Sequence, residues 1–293
     1  MSHRFRKIKN LLLFIPMLFI YSVFVILPRK TALCIASDVA KLLYPLLKKE
    51  KRIAFDNLAV IEPDPLKRRL IVRKLFVNIA KNLVDMMRLW WLRRDKLFSV
   101  VDVEGEEEIR KLYNRGKGVL LITTHQGAFE YIPAYLAAKG YKLVVVGRRL
   151  YDPRLDRMLV SMRRSWGTVN LATDKEPEKL SRFLSSGYLV GLLVDLNLRS
   201  VKNEKSILFG REVLSPKGPV LLALRSSSPV VPLAIRRTRD DRFKITVLPG
   251  FYLLRSGNLD EDVRAGLLLF NRCVESLIML AVDEWPWTHP RFL

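Results

Sequence analysis

The chain has 293 residues, of which 49% are apolar, enough to bury a sizeable core in one large domain or a domain with an appendage. A formal net charge of +22 calls for a polyanionic partner or surface, either nucleic acid or anionic phospholipid. The two cysteines, Cys34 and Cys273, lie far apart without metal-ligand spacing, which argues against a disulfide framework or a zinc site. We expect no metal elsewhere either, because no cluster of His, Cys and acidic residues stands out.

The N-terminal segment has the composition of a membrane anchor. Four basic residues precede an uncharged run over residues 11–27, which only Pro16, Tyr21 and Ser22 interrupt. That length is at the short end for a transmembrane helix, and the basic flank would stay in the cytoplasm. We expect residues 1–30 to form an uncleaved anchor that spans the membrane or lies in its interface, with a cleaved signal peptide as the alternative.

Residues 31–100 show a helical and basic pattern. The first 100 residues hold 21 Lys and Arg against 7 Asp and Glu, so a net charge of +14 lies next to the apolar run. This proximity favours anionic phospholipid over nucleic acid, and the chain lacks the basic–aromatic interleaving or recognition helix of nucleic-acid-binding proteins. We expect this region to pack on the domain that follows it.

Residues 101–293 alternate between short apolar strands and helices, which predicts an α/β fold with a mostly parallel sheet flanked by helices. Strands are predicted near residues 118–124, 142–147, 168–172, 188–194, 229–235 and 243–248. Helices are predicted near residues 105–115, 128–139, 153–166, 175–186, 217–227 and 260–282.

The segment 118–130 carries the strongest candidate for chemistry. Its apolar strand is followed by His125, a glycine at 127 and Glu130 at the start of a helical pattern. A histidine at a strand end can act as a general base near neutral pH, and a carboxylate five residues later could orient the ring. That geometry requires His125 to precede the helix, which Gly127 would permit. The alternative is that His125 is an ordinary loop residue and that Glu130 only favours the helix N-terminus.

The His-x-x-x-x-Glu spacing resembles the motif of glycerolipid-type acyltransferases, and later blocks resemble the late lipid A acyltransferases (lauroyl and myristoyl transferases). These blocks occur in the family's order and cover nearly the whole chain: Arg52 to Asn57-Leu58; Val146-Gly147-Arg148; Asp152-Pro153-x-Leu155-Asp156; Arg163-x-x-x-Gly167; Phe209-Gly210-Arg211; Gly218-Pro219-x-x-Leu222-Ala223-Leu224; Pro229-Val230-Val231-Pro232; and Trp287-x-His289-x-Arg291-Phe292.

The resemblance implies a membrane-associated O-acyltransferase, with His125 and Glu130 catalytic. It implies that Arg148 and Arg163 hold the phosphate or headgroup of the acceptor lipid, and it adds Asp195 and Arg211 as substrate-binding residues. Asp195 is followed by Leu196 where the family usually has glutamine. Ser215 is expected to cap the next helix rather than to act as a nucleophile.

The implied acceptor is a Kdo-bearing lipid A precursor, and the donor is acyl carrier protein or acyl-CoA, with no cofactor and no metal. The implied location is the bacterial inner membrane, with the catalytic domain on the cytoplasmic side and no nucleic acid as partner. Two alternatives stay open: acylation of another glycolipid, such as a phosphatidylinositol mannoside, and a non-catalytic lipid-binding protein of the same fold.

Overall fold

The computed structural model describes residues 3–172, 177–196 and 202–292. In these ranges, seven strands form one sheet in the order β1-β9-β8-β2-β5-β3-β4, and two more form a separate hairpin, β6-β7. The recorded pairings within the sheet are parallel except for β8 with β9. The strands are β1 (Val101–Glu104), β2 (Val119–Thr123), β3 (Leu143–Gly147), β4 (Val169–Ala172), β5 (Leu189–Leu193), β6 (Asn203–Leu208), β7 (Arg211–Pro216), β8 (Val230–Arg237) and β9 (Phe243–Val247).

Helices precede the sheet and cover both of its faces. They are α1 (His3–Ile26), α2 (Arg29–Leu43), α3 (Lys48–Leu58), α4 (Pro65–Arg88), α5 (Arg94–Val100), α6 (Glu106–Tyr113), α7 (Tyr131–Ala138), α8 (Pro153–Ser165), α9 (Pro177–Ser185), α10 (Lys217–Ser226) and α11 (Leu259–Met279). The predicted α/β fold with a mostly parallel sheet flanked by helices is confirmed, as are its six strands and six helices to within a few residues. Residues 175 and 176, the start of the predicted helix 175–186, lie outside the described ranges.

Two features of the sheet region differ from the prediction. The short edge strand β1 was not predicted. The segment around Gly210, where no strand was predicted, is the β6-β7 hairpin, whose turn has positive φ at Phe209 (49°) and Gly210 (73°). Positive φ at both central positions is the geometry that matches the twist of a two-residue hairpin. Ser215 lies within β7 and does not cap α10, whose N-cap is Pro216 without a side-chain hydrogen bond.

Helices before residue 100 contribute buried residues to the core. Leu58 and Leu75, from α3 and α4, are fully buried in the apolar cluster that also holds Ile122 of β2. Leu89 and Leu97 are buried in a second cluster, which contains Leu121 of the same strand. Successive residues of a strand face opposite sides of its sheet, so β2 is buried on both faces, as a central parallel strand should be.

The α1 helix lies within the predicted anchor, residues 1–30. None of the helices in the described part of the chain is both long enough and apolar enough to cross a membrane, so the transmembrane form of the anchor is not supported. The junction to α2 is fixed by Arg29, whose guanidinium bonds both oxygens of the buried Asp85 carboxylate at 2.7 and 2.9 Å. The start of α2 is therefore tied to α4 by a bidentate ion pair.

Candidate active site

The carboxyl ends of two neighbouring strands bring the reactive groups together. Strands β2 and β5 pair in parallel, with Thr123 opposite Leu193. His125 and Asp195 each lie two residues beyond these positions, so the register sets them side by side although they are 70 residues apart in sequence. Strand ends at this edge of an open α/β sheet are where ligands usually bind.

The carboxylate that orients His125 is Asp195. His125 Nδ1 lies 2.8 Å from Asp195 Oδ1, and the His125 backbone N–H donates to Oδ2 at 3.0 Å. The predicted hydrogen bond from the His125 ring to Glu130 is therefore wrong: in the described part of the chain, Asp195 accepts from that ring. Asp195 Oδ1 accepts the Nδ1 proton, which leaves the Nε2 lone pair available as a base.

The electrostatics of the pair favour a charged imidazole. Burial opposes the imidazolium, but the charge and hydrogen bond of Asp195, together with the charge of Glu130, more than offset it, and the net effect raises the pKa of His125 above 6.5. Burial likewise opposes ionisation of Asp195, yet His125 and the N–H donors around the carboxylate hold its pKa below the usual value. The His125 side chain is 31% exposed and that of Asp195 is 0% exposed, so only the histidine can reach a substrate.

The C-terminal segment holds Asp195 in place. Trp285 Nε1 donates to Asp195 Oδ2 at 2.7 Å, and Arg291 Nε donates to the Asp195 backbone carbonyl at 2.7 Å. Both side chains are fully buried. Because protein donors surround the buried carboxylate, Asp195 is a support for His125, and its predicted role in substrate binding is wrong.

Glu130 and Arg163 form a buried ion pair of their own. Arg163 Nε donates to Glu130 Oε2 at 3.0 Å and Nη2 to Oε1 at 2.5 Å, while Nη1 donates to Asn170 Oδ1. The two side chains are 7% and 10% exposed. Each guanidinium nitrogen of Arg163 therefore bonds a protein acceptor in this structure, and its predicted contact with a lipid headgroup stays a prediction.

The turn between His125 and α7 depends on Gly127. Its φ is +63°, and an added Cβ would lie 2.5 Å from the carbonyl oxygen of Ile235 in β8. A residue with a side chain would meet both steric and conformational strain there. The prediction that Gly127 lets the chain turn, with His125 before the helix, is confirmed by α7 starting at Tyr131.

An apolar pocket opens beside the histidine. It encloses about 470 Å³ of empty space, including its mouth, between one face of the sheet and α7. The Phe129 ring lines it and also contacts the His125 ring edge-to-face, with centroids 5.4 Å apart. The residues that line the pocket are Leu121, Thr123, Phe129, Glu130, Ile132, Pro133, Leu136, Leu143, Val145, Val146, Arg163, Gly191, Leu192, Leu193 and Leu233.

The two remaining candidate arginines differ in position. Arg148 is exposed directly after β3, which is the neighbour of β5, so it lies at the same sheet edge as His125. Arg211 is exposed at the start of β7, whereas the part of that strand near Asp195 is Leu214 and Ser215, which bond Arg291. Four residues of strand separate Arg211 from Ser215, about 13 Å. No group of acidic, His or Cys residues that could hold a metal occurs in the described ranges.

Sequence reasoning missed the pairing of His125 with Asp195 and the donors Trp285 and Arg291. The sequence did contain a signal for the pairing, because His125 and Asp195 each directly follow a predicted strand. For Arg291 the signal was its place in the C-terminal block Trp287-x-His289-x-Arg291-Phe292. Asn57, in another quoted block, bonds the carbonyl oxygens of Trp287 and His289 at 2.7 and 2.9 Å, so two blocks support each other.

Comparisons with known proteins agree on one family. A model of the bacterial lipid A biosynthesis acyltransferases matches residues 1–293. The lipid A biosynthesis lauroyltransferase of Escherichia coli K12 is 25% identical over 274 residues, covering 91% of this chain and 86% of that protein. Lipid A biosynthesis acyltransferase 2 of Shigella flexneri is 25% identical over 124 residues, covering 42% of this chain and 40% of that protein.

Among solved structures, the 1-acyl-sn-glycerophosphate acyltransferase of Thermotoga maritima aligns with 85% of this chain and 98% of its own. The alignment has a TM-score of 0.37 at 16% identity. The family model, which spans the whole chain, decides the assignment: the chain belongs to the bacterial lipid A biosynthesis acyltransferases and is an acyltransferase.

Proposed function

We propose that this protein moves a fatty acyl chain from acyl carrier protein, or from acyl-CoA, to a hydroxyl of a lipid A precursor, with His125 as the general base. The observation that carries the proposal is the 2.8 Å contact between His125 Nδ1 and the buried Asp195, at a sheet edge beside an apolar pocket. The lipid A precursor as acceptor follows from the family to which the chain belongs.

The imidazole has the tautomer that a base needs. With its Nδ1 proton donated to Asp195, His125 presents an unprotonated Nε2 to the acceptor hydroxyl. The carboxylate also stabilises the imidazolium that forms when the hydroxyl proton is taken. Glu130 adds a weaker attraction that favours the charged ring, through space and not by a hydrogen bond.

The reaction needs no covalent acyl-enzyme. As Nε2 takes the proton, the acceptor oxygen attacks the thioester carbonyl carbon, and the new C–O bond gives a tetrahedral oxyanion. Collapse breaks the C–S bond, and the imidazolium returns the proton to the leaving sulfur, so an ester and a free thiol are released. Thr123 Oγ1 is a candidate donor to the oxyanion, because it lines the pocket and is buried without a hydrogen-bond partner in the described part of the chain.

The apolar pocket suits the acyl chain of the donor. Its wall is almost entirely hydrocarbon, and its polar members are Thr123 and the neutralised Glu130–Arg163 pair. Phe129 connects it to the base, since the same ring contacts His125. A chain bound there would have its carbonyl carbon near Nε2, which is the positioning that converts a bimolecular step into a nearly unimolecular one.

Charged groups at the mouth suit the anionic substrates. Arg148 is exposed at the catalytic edge of the sheet and would meet an acceptor phosphate. Arg211 lies farther out, on the hairpin, where it would meet the outer part of a large acceptor. The net charge of +22 would also attract an acidic carrier protein and speed its encounter.

Membrane association is supported by an exposed apolar surface on the N-terminal helices. This apolar surface would insert into the acyl region of the bilayer. The basic residues of this third of the chain would contact anionic headgroups at the cytoplasmic face of the inner membrane. The exposed residues are Ile15, Leu18, Phe19, Ile20, Val23 and Ile26 of α1, Ile35, Val39, Leu42 and Leu43 of α2, and Leu66, Leu70, Ile79 and Leu83 of α4.

Turnover by the full-length protein tests the proposal. Purified protein in phospholipid vesicles, given acyl carrier protein loaded with a fatty acid and a Kdo-bearing lipid A precursor, should release free thiol and yield a precursor heavier by one acyl group. His125→Ala should lower kcat by about 10²- to 10⁴-fold, the usual contribution of a general base. Its thermal unfolding and its binding of the lipid precursor should stay close to those of wild type.

Two other outcomes would replace the proposal. Product formed only from a different acceptor, such as phosphatidylinositol mannoside, would assign the enzyme to another glycolipid. Binding of lipid without any thiol release, in wild type and His125→Ala alike, would identify a non-catalytic lipid-binding protein. Mass spectrometry of lipid A from a strain that lacks the gene gives an independent check, since an unchanged acylation pattern would remove the lipid A acceptor.

A further inference from the structure

Gly191 occupies an unusual place in the sheet. It is the middle residue of β5, a central strand, with Leu121 of β2 and Val145 of β3 directly beside it. Central parallel strands are normally filled with Val, Ile and Leu, and glycine in a strand interior weakens it. The other members of β5 are Leu189, Val190, Leu192 and Leu193, so the glycine interrupts an otherwise apolar run.

None of the usual backbone reasons accounts for this glycine. The register with β2 continues without a bulge from Val119–Leu189 to Thr123–Leu193. The φ of Gly191 lies outside the left-handed range. The nearest atoms to an added Cβ would be Val145 Cγ1 at 3.6 Å and the Val144 carbonyl oxygen at 3.8 Å, which are ordinary contacts. A side chain is therefore allowed at this position, and its absence leaves space.

That space belongs to the apolar pocket. Gly191 and Leu193 are only partly buried although their strand is central, because the face they share opens into the pocket. Leu121 and Val145, on either side of Gly191, line the same pocket. Gly191 is thus a gap in its floor, flanked by two larger side chains.

The distance between this gap and His125 bears on the length of the acyl chain that the pocket can hold. Gly191 is level with Leu121, four residues before His125 along β2, which is about 13 Å at the usual rise of a strand. An acyl chain whose carbonyl lies at His125 would pass over Gly191 with its distal part. A side chain at 191 would obstruct that distal part and leave the reacting end untouched.

We infer that Gly191 determines the acyl chain length that this protein accepts, because the missing side chain provides the depth of the pocket. The inference rests on the proposed function, since it takes the pocket as the site of the donor's acyl chain. It assigns to one residue a property that otherwise depends on side chains from several strands and from α7.

The test is a comparison of Gly191→Ala and Gly191→Val with wild type on a series of acyl donors of increasing length. Both variants should shift the preferred donor to shorter chains, and valine should shift it further than alanine. Each methylene that no longer fits should cost about 10- to 200-fold in kcat/KM. Gly218→Ala is the matched control, because its added Cβ meets nothing within 4 Å and Gly218 lies outside the pocket lining.

Displacement of a fluorescent fatty acid by unlabelled fatty acids of graded length separates this inference from the proposed function. If wild type transfers no acyl group but both variants still bind only shorter fatty acids, the pocket assignment holds and the proposed function fails. An unchanged length preference in Gly191→Val, or an equal loss for every length in the folded Gly191→Ala protein, overturns the inference.

Discussion

Replacing Asp195 by asparagine tests the central assignment of the site. The two carboxylate oxygens have different neighbours: Oδ1 faces His125 Nδ1 at 2.8 Å, and Oδ2 faces two donors, the His125 backbone N–H and Trp285 Nε1. Asparagine keeps the shape but has only one oxygen. The cost of leaving these two N–H donors without an acceptor therefore decides whether the amide oxygen or the amide nitrogen takes the Oδ2 position.

If the amide nitrogen of asparagine faced the His125 backbone N–H and Trp285 Nε1, both donors would lack an acceptor. Each buried donor left without a partner would cost about 1–3 kcal/mol. The amide oxygen should instead take the Oδ2 position, and Nδ2 would then donate to the ring of His125. That hydrogen bond forces the proton onto Nε2, the nitrogen that must accept one. Asp195→Asn should thus lose the general base while it keeps its fold.

The expected loss in kcat is about 10²- to 10⁴-fold, or roughly 3–5 kcal/mol of transition-state stabilisation. The assay is thiol release from acyl carrier protein loaded with a fatty acid, with thermal unfolding measured on the same samples. Asp102→Asn is the matched control, because Asp102 is an exposed carboxylate on the edge strand β1, paired with Arg242 at 3.0 Å. Turnover of Asp195→Asn within threefold of wild type, while His125→Ala is inactive, would refute the assignment.

Three further predictions concern the ionisable groups near the site. Because the pKa of His125 is raised above 6.5 and the base must be unprotonated, kcat/KM should rise with pH through a midpoint above 6.5; a midpoint below 6.5 would contradict the pairing with Asp195. Glu130→Gln removes one partner of the buried pair with Arg163 and should lower the free energy of unfolding by about 3–5 kcal/mol. If denaturant titrations show that Glu130→Gln is as stable as wild type although it has lost turnover, Glu130 takes part in catalysis instead. Burial raises the pKa of Glu284 to about 7 from 4.5, so the stability it contributes is complete below pH 4.5 and is lost as pH rises through 7. Glu284→Gln should therefore be more stable relative to wild type at pH 8 than at pH 5, and equal differences at both pH values would exclude that titration.

Much of the fold could be predicted from the sequence because its signals are local. Apolar runs of four to eight residues between turn signals marked six of the strands, and helical spacing marked the helices between them. The same local pattern put His125 at a strand end and identified the turn at Gly127. The β6-β7 hairpin was not predicted, because its turn requires Phe209 to adopt a left-handed backbone conformation, which is uncommon for a phenylalanine.

The sequence by itself determined the alternation of strands and helices, the excess of positive charge beside an apolar segment, and the position of His125 at a strand end. Only the tertiary structure decided which carboxylate meets that histidine. Glu130 is near His125 in sequence, but it forms an ion pair with Arg163 of α8. Asp195 is 70 residues away from His125, but the register of β5 against β2 places its carboxylate beside the imidazole ring. Strand register is a property of the assembled sheet, and a spacing along the chain cannot specify which side chains from different strands become neighbours.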